Sequence, residues 1–220
     1  MDTFEIRCLS YNNPERKERM AARFEAVGLP VIWGVPVLPT DPRMMPGTAC
    51  LSNTHGHLDM IKAFLDGSAD FGVFCEDDVH LRRDLKSSLQ IAIDGYKRIK
   101  PDIMLLGYLA NYKGSTWSIH PNHQLVEPPF TFLSVYHELW GSQMFMLDRP
   151  SAQRLWEACC EPSRVAGPFS VDWMITKFGK SVAINPLLAV EEGVIASDHW
   201  GQKEFHRICC EENYDKNIHV

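Results

Sequence analysis

Three consecutive carboxylates, Glu76, Asp77 and Asp78, directly follow a short apolar segment of the chain. The apolar residues 71–75 predict a short, fully buried strand. Adjacent carboxylates repel one another and resist burial, so they need solvent, hydrogen-bond donors or a cation. A hard divalent ion takes oxygen ligands and often keeps waters and substrate phosphates in its shell. The run therefore predicts a metal–nucleotide site at the carboxyl end of a strand, with a solvated acidic turn as the alternative.

A second metal motif competes with this interpretation. His55, His57 and Asp59 have the H-x-H-x-D spacing that resembles the zinc-binding core of metallo-β-lactamase-like hydrolases. Met60 stands where that motif has its last histidine, and residues 48–53 before it do not have a strand pattern. On a helix, His55 and Asp59 would share a face while His57 would point elsewhere. A zinc-dependent hydrolase nevertheless stays open as an alternative function.

Other common catalytic and nucleotide-binding motifs are missing from the sequence. No two glycines form G-x-G, which excludes the Rossmann dinucleotide fingerprint and the P-loop. There is no G-x-S-x-G motif and no cysteine pair with zinc-finger spacing. Nucleotide binding, if present, must therefore depend on carboxylates and a divalent cation.

Length and composition bound the kind of protein. A chain of 220 residues fits a single domain, residues 1–220, and its net charge of -6 argues against a nucleic-acid or anionic-membrane partner. No apolar run has membrane-spanning length, and the first residues lack a signal-peptide pattern. The cysteines number seven, with no C-x-x-C, which favours buried thiols in a reducing intracellular compartment. We expect a cytoplasmic protein, in the host cytoplasm if the source is viral.

An alternation of strands and helices must position the acidic run. Strands are predicted at 4–9, 31–35, 71–75, 103–106, 132–136, 143–147 and 182–184, and helices at 14–27, 54–65, 84–99 and 150–159. Asn13 predicts a helix N-cap before Pro14, Gly28 ends that helix, and Ser52 or Thr54 and then Asp84 are expected to cap the next two. The polar stretch 107–129 predicts loops and a hairpin over the sheet edge. This alternation is typical of a parallel α/β sheet.

Taken in order, these features resemble glycosyltransferase family 25, the lipooligosaccharide and collagen galactosyltransferases. Residues 9–19 resemble the family's opening strand and Arg-bearing helix, and 31–35 its second strand. Residues 74–79 resemble its Leu-Glu-Asp-Asp-Val block, 50–65 its Cys-x-x-Ser-His helix, 140–147 its Gly-Ser-x-x-Tyr strand and 168–173 its Pro-Val-Asp-Trp segment. The first strand departs from the family, since Ser10-Tyr11-Asn12 replaces its usual Leu-Asp-Arg. The resemblance implies an α/β GT-A fold, a Rossmann-like, mixed and mainly parallel sheet flanked by helices that binds a sugar nucleotide at its carboxyl edge.

The resemblance also implies which residues bind the donor and its metal. Glu76, Asp77 and Asp78 would form a DxD-like motif in which Asp78 ligates Mn²⁺ or Mg²⁺, and this ion would bridge the donor diphosphate. Glu76 or Asp77 would reach the ribose or a metal-bound water, and Glu76 and His199 are further candidate ligands. The residues that would contact the nucleotide are Ser10, Tyr11, Asn12, Arg16 and His55.

Asp172 is the candidate catalytic base. It lies at the start of a predicted helix, where its carboxylate could project into the cleft and take the proton of an acceptor hydroxyl. A helix cap is the alternative role, because Asp is a favoured capping residue. The resemblance thus implies an inverting hexosyltransferase that uses a UDP-linked donor and a glycan or glycoprotein acceptor. A catalytically silent sugar-nucleotide-binding domain stays open beside the hydrolase.

Overall fold

The structure is a computed structural model, and it describes residues 2–44, 49–109, 123–135, 140–160, 171, 178–194 and 202–220. The described strands are β1 (Phe4–Leu9), β2 (Ile32–Gly34), β3 (Phe71–Glu76), β4 (Val79–Leu81), β5 (Ile103–Leu109), β6 (His123–Glu127), β7 (Phe130–Ser134), β8 (Trp140–Asp148), β9 (Ser181–Asn185) and β10 (Ala189–Glu191). The described helices are α1 (Pro14–Ala26), α2 (Ala49–Leu65), α3 (Leu85–Ile99), α4 (Arg149–Cys160) and α5 (Gln202–Asn213). Asp172 and His199 lie outside the described residues.

The strands form one large sheet and one small one. The large sheet has eight strands in the order β2-β1-β3-β8-β5-β9-β7-β6, and β4 pairs with β10 in the second sheet. Strands β2, β1 and β3 are parallel, and so are β5 and β9. Strand β8 lies antiparallel between β3 and β5, and β7 lies antiparallel between β9 and β6. Apart from β7 and β8, the strands run in one direction, so the sheet is mixed and mainly parallel in orientation.

Helices cover both faces of the large sheet. One apolar cluster joins the sheet to α1 through Met20 and Phe24 and to α3 through Leu89 and Ile93. The other cluster contains apolar residues of α2 and α4, with Phe64 as a fully buried member. The spacing of these apolar positions is helical, so each helix buries one stripe and exposes the rest. The predicted class, a Rossmann-like mixed sheet flanked by helices, is confirmed.

The first strand–helix unit follows the predicted local signals. Strand β1 has the predicted bounds, and the Asn13 side chain caps α1 by accepting a hydrogen bond from the Arg16 amide at 3.1 Å. Pro14 occupies the first helical position, where its missing N–H costs nothing. Gly28 has φ +66° and makes the left-handed exit that glycine allows. The N-terminal turn of α1 is therefore fixed beside the carboxyl end of β1.

Other boundaries differ from the predictions. Helix α2 begins at Ala49, so Ser52 and Thr54 lie inside it rather than at its cap. Asp84 stands at the N-cap of α3 but makes no capping hydrogen bond, because its carboxylate pairs with Arg82. Strands β6 and β7 pair as a hairpin with β6 at the sheet edge, but only β6 lies in the stretch 107–129, and β7 corresponds to the strand predicted at 132–136.

The described cysteines and helices can be compared with the sequence. The described side chains of Cys8, Cys75, Cys159, Cys209 and Cys210 are thiols that are not joined in disulfides. Among the residues that the structure describes, no helix combines the length and apolarity needed to cross a bilayer.

Candidate active site

The candidate site lies where β1 and β3 end side by side. The two strands are parallel neighbours, and Leu9 is the register partner of Glu76. Helix α1 carries the chain from β1 to β2 on one side, whereas β3 lies on the other side of β1. This reversal of strand order opens a crevice at the carboxyl edge of the sheet, which is where open α/β sheets bind ligands. The sequence-predicted residues Ser10–Asn12 and Asp77–Asp78 therefore meet at this edge.

Asp77 and Asp78, hereafter the aspartate pair, are buried beside the guanidinium of Arg16. Their exposed fractions are only 5% and 9%. Arg16 Nη1 lies 3.6 Å from Asp77 Oδ1, and Arg16 Nη2 forms an ion pair with Asp78 Oδ2. The other oxygens, Asp77 Oδ2 and Asp78 Oδ1, are buried without a hydrogen-bond partner among the described residues. The Arg16 guanidinium is therefore shared by two carboxylates. Each carboxylate keeps one oxygen that has no hydrogen-bond partner among the described residues.

The surroundings of Asp78 disfavour its ionised form. Burial, followed by the negative charge of Glu76, raises the pKa of Asp78 well above its ordinary value, although Arg16 opposes the shift. Glu191 and Asp77 add further negative charge. A second cation at the unsatisfied oxygens would relieve this repulsion, so the site is electrostatically suited to one.

Glu76 is held by other side chains. Its Oε1 accepts a hydrogen bond from Asn53 Nδ2 at 2.9 Å and another from the hydroxyl of Ser142. His57 Nε2 lies 3.7 Å from the same oxygen, beyond hydrogen-bond length. Burial raises the pKa of Glu76, but the adjacent His57 and the two donors outweigh burial and lower the pKa to about 2. Glu76 is therefore an anchored carboxylate, and its assignment to metal or ribose stays a prediction.

Sequence reasoning missed the partners of Glu76. Asn53 and His57 are four residues apart in α2, so they share the helix face that packs on β3. Ser142 comes from β8, whose antiparallel pairing with β3 places Met144 opposite Cys75. The helical spacing of Asn53 and His57 was a usable signal. The pairing of β3 with β8 has no such signal in the sequence, because apolar periodicity does not show which strands are neighbours in a sheet.

The zinc-hydrolase motif does not assemble. His57 is fully buried against the ring of Phe145, 5.4 Å away, and faces Glu76. Asp59 instead pairs with Arg43, at 2.7 and 3.0 Å, on the exposed side of α2. All three motif residues are described, and the described part of the chain contains no cluster of three His, Cys, Asp or Glu suited to a metal. His55, His57 and Asp59 therefore do not form a zinc site, because His57 is buried towards Glu76, away from the helix face that His55 and Asp59 share.

Two more arginines fasten α1 to the far side of the site. Arg19 and Arg23 both bind the carboxylate of Glu192, with closest N–O distances of 3.0 and 2.7 Å. The Glu192 amide donates to the carbonyl oxygen of Asp78 at 2.8 Å. Helix α1 is thus tied through Glu192 to the backbone of Asp78, by contacts that do not use Arg16.

The residues after β1 lie at the same edge of the sheet as the aspartate pair. Ser10 is buried, whereas Tyr11 exposes 47% of its surface. Asn12 has φ 45°, the left-handed turn that leads into α1. Tyr11 is therefore largely exposed to solvent just after the carboxyl end of β1. His55 is half-buried in α2, and its predicted contact with the nucleotide stays a prediction.

The donor set of the aspartate pair fits Mn²⁺ or Mg²⁺. Two buried carboxylate oxygens lack partners among the described residues, and hard divalent cations prefer such oxygens. Mg²⁺ is commonly bound through one or two carboxylates together with substrate phosphates, so the protein need not supply a complete shell. Asp77 and Asp78 would hold the ion.

Three solved structures are similar to the chain, each at 11% sequence identity. A glycosyltransferase involved in glycosylation of the major capsid of PBCV-1 has a TM-score of 0.47, covering 93% of this chain and 99% of that one. Mannose-1-phosphate geranyltransferase from Thermus thermophilus has a TM-score of 0.45, covering 83% and 73%. The inositol-1-phosphate CTP transferase from T. maritima has a TM-score of 0.43, covering 97% and 79%. No protein-family model matches the chain, and neither does any curated protein sequence.

Proposed function

We propose that the chain is a metal-dependent glycosyltransferase that moves a hexose from a UDP-linked donor to a hydroxyl of a glycan or glycoprotein. The observation that carries this proposal is the buried aspartate pair, with two oxygens that lack partners among the described residues, at the strand-order reversal of the sheet. Such a crevice suits a nucleotide, and paired carboxylates without a glycine-rich loop suit a metal-bound diphosphate. The sequence resemblance to glycosyltransferase family 25 supports the same reaction.

In this proposal, the aspartate pair and the residues after β1 both bind the donor. Asp77 and Asp78 hold Mn²⁺ or Mg²⁺, which when bound neutralises negative charge on the leaving nucleoside diphosphate. Ser10 and Asn12 bind polar atoms of the nucleoside, and Tyr11 stacks on the base. His199 is a further metal ligand in this proposal. The reduced thiols of the described cysteines support a reducing, intracellular compartment.

Transfer requires a base for the acceptor. Asp172 takes the proton of the acceptor hydroxyl while the new bond forms between that oxygen and the anomeric carbon. The bond from the anomeric carbon to the diphosphate oxygen breaks on the opposite face, and the product is inverted. The electron pair of the broken bond leaves with the nucleoside diphosphate.

Titration of UDP into the protein with Mn²⁺, followed calorimetrically, tests donor binding. We expect Asp78→Asn to lose binding, because it removes a charged ligand from the aspartate pair. Asp66→Asn is the matched control, since the exposed Asp66 follows the end of α2 and pairs with Lys62. Equal UDP affinity in the wild type and Asp78→Asn would contradict the metal assignment.

Turnover separates the enzyme from a silent sugar-nucleotide-binding domain. A screen of sugar nucleotides for donor hydrolysis identifies the donor and reports activity together. Asp172→Asn should abolish transfer while it keeps UDP binding, because the base does not hold the donor. Unchanged transfer in Asp172→Asn would show that another group is the base. Donor binding without turnover of any sugar nucleotide would favour the silent domain.

A further inference from the structure

Arg16 is the cation that neutralises the aspartate pair in the structure. Its two terminal nitrogens face one oxygen of Asp77 and one of Asp78. The remaining oxygen of each aspartate is shielded from solvent and lacks a hydrogen-bond partner among the described residues. A divalent ion that reached these carboxylates would meet the guanidinium beside the same two groups, and the two cations would repel each other. Arg16 and a metal therefore compete for the aspartate pair.

The Arg16 side chain is partly exposed, whereas the backbone that carries it is held by other contacts. Its side chain is 30% exposed. The backbone stays in place, because Asn13 caps the Arg16 amide and Arg19 and Arg23 hold α1 on Glu192. The α1 N-terminus also carries the positive end of the helix dipole, which attracts anions to this position.

We propose that Arg16 is an exchangeable counter-ion that couples metal binding to donor binding. It holds the aspartate pair together until a divalent cation and a nucleoside diphosphate arrive, and it then moves from the carboxylates to the diphosphate. This inference rests on the proposed function, because it needs the aspartate pair to accept the metal of a nucleotide donor. The metal alone binds weakly, since it must displace Arg16, whereas metal and diphosphate together bind strongly.

Electron paramagnetic resonance of Mn²⁺ tests this coupling without any turnover. Mn²⁺ affinity is measured with and without saturating UDP in the wild type, Arg16→Gln and Arg19→Gln. We expect Arg16→Gln to bind Mn²⁺ alone about tenfold more tightly than the wild type, and UDP to strengthen Mn²⁺ binding much less in this variant. Arg19→Gln is the control, because Arg19 lies one turn along α1 and pairs with Glu192, and its Mn²⁺ affinity should equal that of the wild type.

Arg16→Lys guards against loss of folding in Arg16→Gln. Lysine keeps the charge but cannot bridge two carboxylates with a planar fork. In the absence of UDP, Arg16→Lys should therefore have a higher Mn²⁺ affinity than the wild type. Unchanged or weaker Mn²⁺ affinity in the folded Arg16 variants would overturn the inference. If UDP and Mn²⁺ still bound together in that case, the proposed function would survive. If no variant bound Mn²⁺ with or without UDP, the proposed metal-dependent function would fail as well.

Discussion

Ser142 donates its hydroxyl to Oε1 of Glu76 from the neighbouring antiparallel strand. A hydrogen bond to a buried carboxylate is charge-assisted, and its loss leaves an acceptor under-satisfied. We expect Ser142→Ala to lower the free energy of unfolding by about 1.5–3 kcal/mol, measured by urea denaturation. Ser87→Ala is the control, because the exposed Ser87 hydroxyl bonds a carbonyl oxygen at the start of α3; a loss as large there would contradict the special role of Ser142.

Glu76 should make stability depend on pH in the acid range. Its pKa in the folded chain is about 2, below the ordinary value of 4.5, so the unfolded chain binds the proton more readily. The stabilisation is complete above about pH 4.5 and is lost as the pH falls towards 2. The unfolding free energy of the wild type should exceed that of Glu76→Gln by roughly 2–3 kcal/mol at pH 6, and this gap should narrow at pH 3. A gap that is constant with pH would show that Glu76 is not the titrating group.

Replacing Gly95 by alanine should not give the increase in stability that this substitution usually gives in a helix. Although Gly→Ala in a helix interior commonly adds about 1 kcal/mol, a Cβ at Gly95 would overlap the ring of Phe132. We expect Gly95→Ala to lower the free energy of unfolding by about 1–3 kcal/mol. The double variant Gly95→Ala/Phe132→Leu should lose less than the two single losses combined. Additive losses in this double-mutant cycle would contradict the proposed overlap.

Tyr11 should bind the donor through its ring rather than its hydroxyl. Stacking of a base on an aromatic side chain contributes about 1–3 kcal/mol, and Tyr11 is 47% exposed just after the carboxyl end of β1. Calorimetric titration with UDP and Mn²⁺ should therefore show weaker binding to Tyr11→Ala and unchanged binding to Tyr11→Phe. The exposed Tyr214, on the far part of the chain after α5, supplies the control variant Tyr214→Ala. Weaker binding in Tyr11→Phe would point to the hydroxyl instead.

Local features of the chain could be predicted because short-range physics determines them. The bounds of β1, the Asn13 cap and the end of α1 before Gly28 depend on a few neighbouring residues, and each was found as expected. The predicted buried strand before the aspartate pair was also found, although it extends one residue further than expected and includes Glu76. These are the features that bring Ser10, Arg16 and the aspartate pair to one edge.

Long-range features could not be predicted from the same patterns. The insertion of β8 between β3 and β5 depends on which strands pack together across the chain, and apolar periodicity does not contain that information. The support of Glu76 by Ser142 was missed for this reason. Helix α5 was missed because its segment is mostly polar and shows no clear apolar stripe. Its apolar residues are Phe205, Ile208, Cys209 and Cys210. Its position against β10 is fixed by contacts such as His206 with Glu191, at 2.6 Å.

The antiparallel strand β8 has a consequence for how the chain folds. Strands β1, β2 and β3 can pair early, but β3 gains its second neighbour only from residues far along the chain, since Ser142 lies 66 positions after Glu76. Non-local pairing of this kind slows folding, because the intervening loop must close first. During synthesis, the edge of β3 that pairs with β8 stays unpaired until the ribosome has synthesised β8. The candidate site is therefore completed late in folding. A fragment of the chain that stops before β8 would expose the unpaired edge of β3, which is prone to aggregation.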